Sequence, residues 1–63
     1  MFILINSKTP ELINFTTVVS FKLEDDNRIK VVYKDEKLVS YHTFDSKEAA
    51  NKALKSIYND IKH

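Results

Sequence analysis

Ser40 and His42 lie two residues apart, the spacing in this chain best suited to setting a serine hydroxyl beside an imidazole. On an extended strand such residues share a face. A serine within reach of a histidine is the minimal arrangement for nucleophilic catalysis, because the base takes the hydroxyl proton as the oxygen attacks. The same spacing also suits a polar pair on a solvated strand. A sheet built from 63 residues offers no deep pocket to exclude water. The second reading is the better one.

Two carboxylate pairs, Asp25/Asp26 and Asp35/Glu36, could in principle share a proton or hold a cation. Both fall in segments with the composition of hairpin turns. Acidic side chains there are explained by local hydrogen bonds to the turn backbone. The absence of Cys removes thiol chemistry, disulfides and Cys/His zinc sites, and the only histidines are His42 and His63. The absence of Gly removes the phosphate-cradling loops and the EF-hand loop, both of which need it at close approaches or sharp bends. These residue types lead to the expectation of no enzyme activity, no bound metal and no cofactor.

The elements that must position any functional group are short. Phe2 to Asn6 is apolar on both faces and reads as a strand, suited either to a central place in a sheet or to a subunit contact. The stretch around Pro10 reads as a loop, after which Leu12-Ile13-Asn14-Phe15 re-enters the core. From Thr16 to Glu24 the pattern alternates, with Val19, Phe21 and Leu23 inward, Ser20, Lys22 and Glu24 outward, and Val18 an exception on the polar side. Asp25 to Arg28 reads as a turn, with Asn27 the natural left-handed residue in a chain without Gly. Ile29 to Lys34 is a strand, Asp35 to Lys37 a second hairpin connection, and Leu38 to Phe44 the last strand, with Val39 and Tyr41 favoured inward. Asp45, with Glu48 three residues on, has capping-box spacing for a helix from about Ser46 to about Lys62. Its apolar stripe is Ala49, Ala50, Ala53, Leu54, Ile57, Tyr58 and Ile61.

Assembled, the pattern predicts one α+β domain over residues 1–63: a four-stranded antiparallel sheet, β-loop-β-β-β, with one C-terminal helix on one face. A domain this small buries only about 60% of its unfolded surface. With no covalent staple, helix–sheet packing and oligomerisation remain as sources of stability. One helix covers one sheet face. The opposite face, carrying Val18, Lys22, Lys30, Val32 and Lys34, then becomes the first candidate contact surface. The acidic turn at Asp25 and Asp26 and the basic helix face with Lys52 and Lys55 are the others. The net charge of +1 and the single Arg argue against a dedicated nucleic-acid binder.

The run Glu11-Leu12-Ile13-Asn14-Phe15-Thr16-Thr17-Val18-Val19-Ser20-Phe21, the meander after it and Phe44-Asp45-Ser46-Lys47-Glu48-Ala49-Ala50 resemble short uncharacterised proteins of Gram-positive bacteria, their phages and mobile elements. The shared motifs are a strand entry and a helix cap. They imply the fold and a mobile-element origin, and carry no catalytic residue to this chain. Small proteins of that kind are often accessory factors. The expectation is a protein-binding module, such as a phage-encoded inhibitor that occludes a host enzyme or defence nuclease, or one that pairs with a second copy. The alternative is a small nucleic-acid-binding accessory protein using the lysines of the outer sheet face or helix. The opening Met1-Phe2-Ile3-Leu4-Ile5 is too short for a leader or a membrane span, which leads to the expectation of a cytoplasmic location.

Overall fold

A loop that bends back on itself after five apolar residues builds a ribbon. In the computed structural model, which describes residues 1–25, 27–35 and 37–62, Phe2–Ile5 forms β1 and Glu11–Asn14 forms β2. They pair antiparallel, Ile3 opposite Ile13 and Leu4 opposite Leu12. Strand alternation turns Ile3, Ile5 and Ile13 into the core and leaves Phe2, Leu4 and Leu12 in water. Between the strands, the Ser7 hydroxyl donates to the Thr9 carbonyl at 3.0 Å and accepts from the Thr9 amide at 3.2 Å.

The meander follows as β3 (Val18–Glu24), β4 (Arg28–Tyr33) and β5 (Val39–Thr43), in that spatial order and antiparallel throughout. The architecture is therefore α+β, but with five strands in two sheets where a single four-stranded sheet was expected. The break is local. Phe15–Thr17 forms a 3-10 turn, and the Asn14 carboxamide oxygen accepts from the Thr16 amide at 3.2 Å and from the Thr16 hydroxyl at 2.9 Å. Asn14 thus ends β2 and frees it to fold back on β1 rather than join the meander.

Two facings differ from those expected. The β3–β4 register shifts between Val18 and Ser20. The extra residue is Val19, which is exposed, while Val18 before it is 8% exposed and belongs to the core. A β-bulge thus explains why Val18 looked misplaced, and it reverses both assignments. In β5, Val39 and Tyr41 face outward and His42 is buried, as is Phe44 just past the strand. Register dictates this: His42 lies opposite Ile29 and Ser40 opposite Val31, and both β4 residues are fully buried.

The turn between β3 and β4 uses Asp25, not Asn27, as its left-handed residue, with φ at 53°. Asp and Asn are the side chains that best tolerate this region after Gly. Asn27 instead ties the turn to the end of β5, donating from Nδ2 to the Phe44 carbonyl at 3.1 Å and accepting the Phe44 amide at 2.8 Å. Asp26, Glu36 and His63 lie outside the described residues.

Helix α1 spans Lys47–Lys62. Its cap is Ser46, whose hydroxyl accepts the Ala49 amide at 3.1 Å, one residue later than the expected Asp45. Asp45 instead faces Lys8 at 3.7 Å, with both side chains exposed. Ala50 and Ile57 are buried, and Ala49, Ala53, Leu54 and Ile61 pack partly against the core, whereas Tyr58 turns to solvent. The helix packs on β1, β3 and β4, so it joins the ribbon to the meander. Among the described residues no helix is long and apolar enough to cross a membrane.

Candidate contact surfaces

The register of β5 brings together the one pair that could have done chemistry. Ser40 Oγ lies 3.0 Å from His42 Nε2 and 3.1 Å from the Tyr33 hydroxyl. Glu11, at the start of β2, brings Oε1 to 3.6 Å from the same Nε2. His42 is only 5% exposed. Burial disfavours the imidazolium and holds the pKa of His42 below its ordinary value, while the nearby Glu11 carboxylate partly opposes this. A hydrolytic triad needs the acid on Nδ1 and the serine on Nε2, so that the ring can pass a proton while held in orientation. Here serine and acid converge on one nitrogen. The Tyr33–Ser40–His42 hydrogen bonds keep two polar strand positions of the meander satisfied on a buried face, and Glu11 approaches them from the ribbon.

The outer face of the meander holds Ser20, Lys22 and Glu24 from β3, Arg28, Lys30 and Val32 from β4, and Val39, Tyr41 and Thr43 from β5. The Arg28 guanidinium sits 4.9 Å from the Tyr41 ring centre, and the Lys30 ammonium 6.0 Å from it. Tyr41 is thus an aromatic platform between two cations, an interleaving that the expected inward placement had hidden. Those cations are already matched: Arg28 is ion-paired with Asp25, and Lys30 Nζ lies 3.8 Å from Glu24. Lys22 and Lys34 are exposed nearby, Val32 is half-buried, and Val18 is absent from this face.

On α1, Lys52 and Lys55 are exposed beside Glu48 and Asn51, rimming a shallow hollow with Ser46 and Ala49. The other side of the helix forms an apolar groove of about 420 Å³ with β3, lined by Phe15, Phe21, Leu54 and Tyr58 among others. Phe15 and Phe21 stack in parallel with centroids 6.4 Å apart.

The largest departure from the expected surfaces is the ribbon. Phe2, Leu4 and Leu12 are 61%, 57% and 61% exposed, and Met1 beside them is also exposed. Leu4 and Leu12 are directly paired across the strands, so these are neighbours on one face and not scattered side chains. The signal was present in the sequence, as the doubly apolar run Phe2 to Ile5. Only the pairing with Leu12 makes it a patch.

No family model, no curated protein and no solved structure matches this chain.

Proposed function

We propose that this chain is a non-enzymatic protein-binding module whose main contact surface is the outward face of the β1–β2 ribbon. The observation that carries the reading is the cross-strand pair Leu4–Leu12, flanked by Phe2 and Met1 and open to water. Contiguous exposed apolar patches mark interaction sites, whereas isolated exposed apolars do not. In this reading the module acts by covering part of a partner's surface in the cytoplasm. An enzyme-occluding inhibitor, as the resemblance implies, is its most concrete form. The outer meander face and the Lys52/Lys55 face of α1 become secondary contacts. The test is a photo-crosslinking residue placed at position 12 or, as a control, at position 48 on the helix. A specific adduct from position 12 that disappears with Leu4→Glu supports the reading. Equal, non-specific labelling from both positions overturns it.

A second reading rests on Tyr41. An exposed aromatic between Arg28 and Lys30 is a surface on which a nucleobase stacks. Glu24 and Asp25 weaken it by neutralising those two cations. Single-stranded oligonucleotide titration at low salt decides it: binding that falls with added salt and is lost in Tyr41→Ala favours this reading, and a flat titration removes it.

A further inference from the structure

We infer that the partner on the ribbon is a second copy of this chain, so that two ribbons pack face to face about a twofold axis. This rests on the protein-binding reading above and names its partner.

Three observations lead there. The first is charge. Alternation along β1 and β2 places Phe2, Leu4, Leu12 and Asn14 on the outward side, with Asn6 and Pro10 exposed beside them, and none of these side chains is charged. A twofold interface sets each residue against its own kind or near it, so a charged patch repels itself while a neutral one does not. The outer meander face, with Lys22 directly opposite Lys30, is poorly suited to self-pairing by the same criterion.

The second is area. Phe, at roughly 150–250 Å² for a full side chain, sets the scale. Phe2, Leu4, Leu12 and Met1, each more than half exposed, offer on the order of 400 Å² of apolar surface per chain. Two chains bring roughly 800 Å² together, and the polar rim of Asn6, Pro10 and Asn14 extends this toward the roughly 1,200 Å² lower bound of specific interfaces.

The third is the ribbon itself. An isolated two-stranded hairpin is marginal in water, and this ribbon depends on the packing of its inward face, α1 included. Here one side packs inward through Ile3, Ile5 and Ile13, and the other has nothing over it among the described residues. A second ribbon stacked at the usual sheet spacing of about 10 Å supplies the missing layer.

The experiment is solution mass by light scattering and native mass spectrometry, over roughly 10 to 500 µM, where an interface at the small end of the range associates. The expected result is a concentration-dependent dimer of twice the 7.4 kDa chain. Leu4→Glu should reduce association at least tenfold with an unchanged far-ultraviolet circular dichroism spectrum, since residue 4 is solvent-facing within one chain. Mixing Leu4→Glu with Leu4→Lys chains should restore a mixed dimer. A wild-type chain monomeric throughout the range overturns the inference, as does a dimer that persists in both Leu4→Glu and Leu12→Glu. If the purified chain is monomeric while a crosslinker at position 12 traps a different protein, the second copy is excluded and the protein-binding reading stands. If neither forms, both fall.

Discussion

Ser40 Oγ and His42 Nε2 are 3.0 Å apart on the inward face of β5, close enough to exchange a proton. The Glu11 carboxylate approaches the nitrogen that the serine already occupies. Fluorophosphonate probes, which report activated serines, should leave Ser40 unlabelled, and Ser40→Ala should change stability rather than any activity. The expected cost is about 1–3 kcal/mol, because the Tyr33 hydroxyl and the His42 nitrogen lose their shared partner in a buried place. Covalent labelling at Ser40 would show that the cluster is reactive after all.

His42 also gives the fold a signed dependence on pH. Its folded pKa lies below the ordinary value of 6.5 because burial penalises the charged ring. Between those two values the unfolded chain binds more protons, so stability rises with pH. The contribution is fully present above about pH 6.5 and is lost as pH falls through the folded value. Thermal or urea unfolding followed from neutral to mildly acidic pH should show this loss, and His42→Gln should flatten it. Glu11→Gln should enlarge it, since the carboxylate opposes the burial effect. A wild-type profile that is flat, or that gains stability on acidification, would contradict this account.

Helix capping separates two adjacent residues. Ser46→Ala removes the hydroxyl that accepts the Ala49 amide and should cost about 1 kcal/mol. Asp45→Ala loses only an exposed contact with Lys8 and should cost no more than about 0.5 kcal/mol. Urea midpoints in the reverse order would return the cap to Asp45.

Deleting Val19 provides a sharper test than replacing it. Val18, Phe21 and Leu23 all face inward only because one extra residue sits between Val18 and Ser20. Without Val19 the alternation Val18-in, Ser20-out, Phe21-in is regular, so the deletion should fold with a loss of about 1 kcal/mol or less. Inserting one alanine between Phe21 and Lys22 reverses the facing of every residue on one side of the insertion and should unfold the chain or nearly so. Equal damage from the two changes would mean that the bulge does not set the register.

Much of this could be read from residue types. The period-2 runs gave β3 and β4, the stripe from Ala49 to Ile61 gave α1, and the ends of α1 fell within a residue of the expected ones. In β5 the reading failed because polar residues stood in for apolar ones. Ser40 and His42 occupy inward positions because they satisfy each other and Tyr33, so hydrophobicity alone chose the wrong parity for β5. Val18 and Val19 are chemically identical, and only the register against Tyr33 and Val32 tells which is buried. The separation of β2 from the meander depended on Asn14 binding its own downstream turn, a local event that periodicity does not encode. The ribbon surface was missed for the same reason: Leu12 had been assigned to the core, and its pairing with Leu4 emerged only with the antiparallel register.

The bulge at Val19 has a consequence for how the molecule avoids uncontrolled growth. β3 is an outer strand of the meander, and a straight outer strand is a template onto which further chains can add without limit, producing filaments. The bulge breaks the regular ladder there and leaves Val19 exposed, so an incoming backbone meets an irregular rim. In the twofold pairing inferred above, self-association through the face of the ribbon would end at two. The extra valine that confuses the reading of the sequence thus makes one of the meander's two outer strands a poorer template for added chains.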